Sequence, residues 1–442
     1  MKASKRVRGM RWLLVGMLAG LALALLVSLA LDQNRGRRVP AARAKLSDRD
    51  PVSALGPIRL AWPTDVTALP SAAEFSIDSD IAVRLEAGDG NLLLVPASPL
   101  TPGAHRLRYQ SEGEEPAAWD FEVRPPEPLF LRGAELGQQL YRWGDGDPEL
   151  LSGEHSVRDY APAPQGEVIA YASENDQSGT DLWVVSRDGE DRRLLLGCGS
   201  DICGELDWTP DGARLAFSRK PDRASDDPRL WTVDREGKSA APLYQDEDRL
   251  GRDPTWSPDG RWLVYYDPTV NGVRVLDSDT VAEQVIPSRA GVSGAWAYRE
   301  AKLYLPLLVF REEEPVTHLY RVDPVAQTLA QVLGDSGGWR QVGEPALGLA
   351  GEWLAFAGQR GSAAAPLGLW LMHLDSEEVQ PLVQREGFSY GGPSWDATGQ
   401  HLLFQRFPQG EIQGSPDVML WSAGQAEPEL LIENAALADW LP

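Results

Sequence analysis

The sequence is short of the residues that most chemistry needs. Two cysteines occur in 442 residues, both within Cys198-Gly199-Ser200-Asp201-Ile202-Cys203. Without two further cysteines or a histidine cluster they make a poor zinc site. Their spacing suits a small disulfide loop in an oxidising compartment, with free thiols as the alternative. Histidine is scarce as well, at His105, His155, His318, His373 and His401. Neither G-x-S-x-G nor H-E-x-x-H occurs, which removes the nucleophile elbow and the zincin helix, and there is no P-loop or Rossmann glycine pattern. Positive charge is deficient: 42 Lys and Arg stand against 65 Asp and Glu, a formal net charge of -23. A surface of that sign cannot release phosphate counterions, so nucleic acid is excluded as a partner. From these absences the chain is expected not to be an enzyme and to carry no cofactor and no metal.

Glycine, proline and apolar residues are plentiful, at 43 Gly, 34 Pro and 43% hydrophobic, as in a turn-rich β protein with a large core. Residues 1–11 are basic, with Lys2, Lys5, Arg6, Arg8 and Arg11, and read as a cytoplasmic tail. The uncharged run from Trp12 to Leu31 is long enough, as a helix, to cross a bilayer core of about 30 Å, so 12–31 is expected to be a single transmembrane anchor. Ser28-Leu29-Ala30 leaves signal-peptide cleavage as the alternative. Arg35, Arg37, Arg38, Arg43 and Lys45 follow the run and nearly balance the charge across it. The cysteine pair and the acidic body place the bulk of the chain outside the cell membrane. Residues 32–56 read as a flexible linker.

Between 57 and 125 short alternating runs are separated by Gly and Pro turns: Ile58–Trp62, Ile81–Leu85, Leu92–Val95, His105–Tyr109 and Trp119–Val123. Such period-two strands at this spacing predict a small β-sandwich. The stretch from Leu94 to His105, with its Pro99-Leu100-Thr101-Pro102-Gly103 turn, resembles bacterial Ig-like domains of surface proteins. Pro125-Pro126-Glu127-Pro128 then forms a stiff junction.

From 128 to 442 a unit recurs. Its clearest copy is Trp256-Ser257-Pro258-Asp259-Gly260-Arg261-Trp262-Leu263-Val264-Tyr265, with others at Trp208-Thr209-Pro210-Asp211-Gly212 and Trp395-Asp396-Ala397-Thr398-Gly399. Pro presets one turn dihedral and Gly takes a positive φ, so each copy is a hairpin, and a spacing of roughly 40–50 residues is that of a propeller blade. A Leu-aromatic pair marks one strand of the unit at Leu140, Leu182, Leu230, Leu319, Leu369 and Leu420, with Val273-Arg274 the departure. Apolar triplets mark another at Leu129, Ile169, Leu215, Leu263, Leu303, Leu354 and Leu402. Tyr160, Trp208, Trp256, Trp296, Trp395 and Trp440 mark the innermost strand, and the unit near Leu347 lacks the aromatic. The end, Ala438-Asp439-Trp440-Leu441-Pro442, starts a unit that the segment from Leu129 completes. The prediction is an all-β seven-bladed propeller, with six blades as the alternative, closed by the C-terminal strand in the first blade.

The Trp-Ser-Pro-Asp-Gly hairpin followed by Leu182-Trp183-Val184-Val185-Ser186-Arg187-Asp188-Gly189 resembles the TolB-like, WD-related propeller repeat. That resemblance implies envelope scaffolds that bind proteins, propeller modules beside peptidase domains, and a few lyases.

Aromatics that recur once per unit are core. Trp339, Phe388 and Tyr390 fall outside that register, in expected inter-unit loops, and are the candidate binding residues on a ring face. Turn carboxylates Asp188, Asp211 and Asp259 are expected to accept their own backbone N–H groups. Asp246-Glu247-Asp248 with Asp253, and Gly144-Asp145-Gly146-Asp147, are the acidic clusters to inspect for a cation. Unequal loops, such as 219–228 and 360–366, are where a rigid ring places specificity. The expected function is a membrane-anchored, extracytoplasmic scaffold holding a protein or peptide at one propeller face. The alternative is a propeller enzyme or glycan-binding module with its site in the central channel.

Overall fold

The computed structural model describes residues 43–47 and 51–442, apart from 64–68, 79, 88–90, 113–114, 135–136, 145, 154, 222–227, 247, 289–293, 298–300, 312–313, 335–336, 349–350 and 411–414. The expected tail and membrane anchor, and most of the linker, lie outside these residues. Among the described residues no helix is long and apolar enough to cross a membrane. The described residues divide into two compact units: those up to 52 with those in 56–97 and 104–122 form one, and those in 53–55, 98–103 and 123–442 the other.

The first unit is a seven-stranded sheet. In spatial order its strands are Lys45–Leu46, Ile58–Ala61, Asn91–Pro96, Ile81–Ala87, Phe75–Ile77, Gly103–Tyr109 and Ala117–Val123. Alternation sets the core: Leu92, Leu94 and Pro96 point inward from one strand, and Ile58, Leu60, Ile77 and Leu107 are fully buried beside them. Two stacked Ig-like sheets were expected, but they are not shown. Ile81–Ala87 pairs through its first two residues with Phe75–Ile77 and through the rest with Asn91–Pro96, which joins the strands into one continuous order. Two strands were too short to be read from sequence, and one of them, Lys45–Leu46, lies in the expected linker and pairs with Leu60–Ala61.

The second unit is a ring of seven four-stranded antiparallel blades. Blade 1 runs outward from Ala435–Leu441 through Glu127–Ala134 and Gly137–Gly144 to Asp147–Leu150. The inner strands of blades 2 to 7 are Val157–Pro162, Ile202–Trp208, Arg252–Trp256, Ala295–Ala297, Trp339–Leu347 and Phe388–Trp395. The closure is the one expected from the loose ends, with Trp440 opposite Pro128, Leu441 opposite Glu127 and Ala435 opposite Arg132. Arg187 of blade 2 locks it by donating to the carbonyl of Pro442 at 2.7 Å and pairing with Glu127 at 2.6 Å. Burial lowers the Arg187 pKa to about 10, while Glu127 opposes the shift.

The hairpin turns form for the predicted reason. Ser257 donates to Asp259 at 2.5 Å and accepts from the Trp262 N–H at 2.8 Å, while Gly260 takes φ of 72°. Thr209 with Asp211, and Ser186 with Asp188, repeat the arrangement. Between blades the apolar triplets interdigitate: Leu215 and Phe217 pack with Leu182, Val184 and Trp208 in one such core. Not every sequence marker was in register, Trp421 and Tyr160 among the exceptions: Trp421 lies opposite Leu402 where Trp231 lies opposite Phe217. Pro162 lies opposite Ile169 where Trp208 lies opposite Leu215, so Tyr160 stands two residues before the tryptophan position of the other blades.

Candidate functional site in the axial channel

The inner strands converge on the axis, and a recurrent irregularity shapes their surface. In blades 3, 4, 6, 7 and 1 two inner residues lie opposite one on the second strand, and the first of them is left-handed: Glu205, Asp253, Glu344, Gly392 and Leu437, with φ of 54°, 52°, 49°, 55° and 49°. A bulge of this kind turns a side chain out of the ladder and frees an N–H. Non-glycine residues hold that conformation only where surrounding bonds compensate.

Carboxylates supply those bonds. Glu205 of blade 3 accepts from the Asp253 N–H of blade 4 at 3.0 Å, and Glu344 of blade 6 accepts from Gly392 of blade 7 at 2.5 Å. Asp159 of blade 2 accepts from Leu206 of blade 3 at 2.9 Å, and Asp207 accepts from Trp256 at 2.6 Å. Asp439 takes the Ser394 hydroxyl of blade 7 at 2.6 Å. The Trp208 and Trp440 indoles donate to the carbonyls of Ala161 and Ser394 in the preceding blades.

Crowding these acids has an electrostatic cost. Burial pushes Asp207 up to about 7, with the charge of Asp439 adding to it and the Trp256 N–H opposing it. Asp253 rises to about 7 through burial and the neighbouring Glu205 charge, and Asp159 to about 6 through burial. Asp439 is raised by burial as well. Each group therefore holds its proton more tightly than an exposed carboxyl.

A cavity of about 430 Å³ opens on the axis, bounded by blades 1, 2, 6 and 7. Asp159 and Asp439 supply its carboxylates, Tyr160, Ser394 and Gln405 further polar groups, and Leu347, Pro393, Trp395 and Leu437 apolar wall. Among the described residues no Lys, Arg or His lines it. Tyr160 reaches the carbonyls of Leu129 and Leu437, and Gln405 accepts from the Leu437 N–H at 2.9 Å.

The aromatics singled out from sequence are placed elsewhere. Trp339, Phe388 and Tyr390 all belong to inner strands rather than loops, and Trp339 and Tyr390 are 4% and 2% exposed. Trp339 packs edge-on against Phe356 and Trp370 under the Arg360 guanidinium, and Tyr390 against Phe404. Phe388 is half-buried beneath Arg406. None of the three lines the axial cavity. The two acids that do line it, Asp159 and Asp439, each stand directly before an inner aromatic in the sequence, as Asp159-Tyr160 and Asp439-Trp440.

Cys198 and Cys203 are bonded to one another, and their N–H groups donate to Asp181 and Thr180 of blade 2. In the acidic clusters Asp246 accepts from the Asp248 N–H, while Asp145 and Glu247 lie outside the described residues. Among the described residues no group of three His, Cys, Asp or Glu is arranged to hold a metal ion. His401 meets Ser422 at 2.9 Å and His105 meets Asp78 at 2.5 Å.

This architecture defines a seven-bladed β-propeller. No family model and no curated protein matches the chain. Solved structures do. A puromycin-hydrolysing peptidase of Mycobacterium tuberculosis superposes with a TM-score of 0.53 at 15% identity, over 70% of this chain and 54% of that one. A prolyl endopeptidase gives 0.51 at 13% identity, over 76% and 49%. TolB from Acinetobacter baumannii gives 0.44 at 14% identity, over 72% and 83%. The chain thus spans about half the length of the two peptidases. At these identities the likeness shows the fold alone. It also corrects one expectation: propeller enzymes stand among the neighbours, so the missing hydrolase motifs do not make this chain a non-enzyme.

Proposed function

We propose that the ring is a recognition module that holds a protein or peptide at its axial mouth. The observation that carries this reading is the axial cavity, large enough for side chains and walled by both apolar and hydrogen-bonding groups on a closed, rigid ring. The sequence adds a location. The run 12–31 anchors the chain in a membrane, and the bonded cysteine pair suits the oxidising, extracytoplasmic side. The first unit has the strand-and-turn wording of an Ig-like spacer between the two.

A photo-crosslinking residue placed at Leu437, which is 47% exposed, tests this in the native envelope. One reproducible crosslinked protein is the expected result. Failure to trap any protein at Leu437, with the ring folded, removes the reading.

One observation favours a second, catalytic reading. Asp253 is hydrogen-bonded to Glu205 and raised to about 7, the kind of paired carboxyl that acid–base chemistry uses. A turnover screen on oligosaccharides and peptides, repeated with Asp253→Asn, tests it. Activity lost in that variant supports it, and activity unchanged removes it.

A further inference from the structure

We propose that the groove between blades 2 and 3, on the outer flank of the ring, docks an acidic segment of a partner protein as an added strand. It is a second surface, separate from the axial mouth and independent of the reading above.

The groove has a volume of about 340 Å³. Strand pairing sets what faces it. Val168 lies opposite Ser186, and Ala170 and Arg193 both lie opposite Val184, so Val168, Val184 and Arg193 share one face of the blade 2 sheet. That face is turned toward blade 3, since Val184 packs in one core with Leu215 and Phe217. Val168 and Val184 make an apolar floor, and Arg192, Arg193 and Arg235 border it. Among the described residues Asp191 is the one acid on the lining.

Three cations around an apolar floor run against a chain of net charge -23. What holds two of them leaves their charge in place. Arg192 donates to the Ser152 carbonyl at 3.1 Å, and Arg193 to the carbonyls of Arg235 and Glu236 in blade 3. A carbonyl positions a guanidinium without neutralising it. Among the described residues only Arg235 of the three is paired with an acid, Glu167 at 3.2 Å. Carboxylates brought to Arg192 and Arg193 would meet donors already fixed in place.

The second observation is the strand that carries them. Arg192–Leu196 is the outermost strand of blade 2, so one side of it has no partner strand. The outer strands of the other six blades contain no Lys or Arg, and all but Thr328–Leu333 contain an acid or a proline. A basic edge repels a second copy of itself and attracts an acidic strand. The open stretch is 192–194. Leu195 bulges out of register, and Gly237 of blade 3 closes on its carbonyl, where a Cβ would stand 2.3 Å away. An antiparallel strand reading Leu-Glu-Glu sets its leucine opposite Leu194, which is 47% exposed, and its glutamates opposite Arg193 and Arg192, the first of them over the groove.

The experiment uses the full chain and fluorescein-labelled acetyl-Gly-Leu-Glu-Glu-Leu-Gly-amide, with a copy carrying glutamine in place of both glutamates, read by anisotropy. The glutamate peptide should bind at least about tenfold more tightly than the glutamine copy, the scale of one charged hydrogen bond. Raising salt from about 0.05 to 0.5 M should erode that margin. Arg192→Gln with Arg193→Gln should remove it at a thermal midpoint that shows the ring folded, and Arg192→Lys with Arg193→Lys should restore it. Equal binding of the two peptides, or unchanged binding by the glutamine double variant, overturns the proposal. Absence of binding up to about 1 mM peptide does the same. A copy N-methylated at both glutamates cannot pair as a strand and should bind about tenfold more weakly; full binding by it overturns the added strand. The Leu437 crosslink reads the axial mouth and these titrations read the flank, so either can fail alone.

Discussion

Blade 3 and blade 5 share a four-strand plan and are attached to the ring by different means. The inner strand of blade 3, Ile202–Trp208, is seven residues long and offers Glu205 and Asp207 to blade 4, while the Trp208 indole reaches back to blade 2. The inner strand of blade 5, Ala295–Ala297, is three residues long, and the indole of its Trp296 has no partner. In its place blade 5 has the longest hairpin of the ring, Lys302–Arg311 with Glu314–Asp323, and an apolar core in which Leu303, Leu305 and Val322 are fully buried against Trp262 and Val264 of blade 4. Polar stitching near the axis and apolar packing farther out therefore substitute for one another. Only the first leaves charge on the channel.

The contrast can be broken from either side. Leu305→Ala removes packing at blade 5 and should cost about 2–5 kcal/mol, read as a lowered midpoint in urea at unchanged slope. Asp207→Ala leaves the Trp256 N–H of the next blade without an acceptor and should cost about 1–3 kcal/mol, with Asp207→Asn milder because an acceptor remains.

A pH series sharpens the comparison. The folded pKa values of Asp159, Asp207 and Asp253 lie above the ordinary 3.8. Their contribution to stability is thus full below about pH 4 and is lost as pH rises through 6 to 7. Thermal midpoints should fall from pH 5 to pH 8, and fall less in Asp207→Asn. Asp277 in blade 4 acts in the opposite direction: the Arg261 guanidinium holds it down to about 2, so its contribution disappears only as pH drops below 4. The smallest effect is expected at blade 5. Trp296→Phe removes an indole N–H that bonds to nothing, and should shift stability by no more than about 1 kcal/mol, through packing alone.

Much of the ring could be read from the chain because its determinants are local. Ser257, Asp259 and Gly260 make their turn with one another, and the triplet at Leu263 is apolar throughout, as a strand buried on both faces must be. Closure was legible because half a unit at each end has one economical solution. What escaped were features that depend on register. A one-residue bulge decides whether an acid faces the next blade or solvent, and nothing in the spelling of Glu205 or Glu344 announces it. Trp339 and Tyr390 illustrate the converse error. They stand outside the once-per-unit rhythm because they begin inner strands at the rim, where Phe356 and Phe404 cover them. In the first unit Lys45–Leu46 and Phe75–Ile77 are too short to show a period, and so the continuity of that sheet was invisible.

Because the first blade is woven from residues 127–150 and 435–441, it belongs to both ends of the ring's chain. A protease that cut once in a surface loop between any two other blades would produce two fragments that remain clasped together, and the nick would be apparent on a denaturing gel long before it affected the assembled ring.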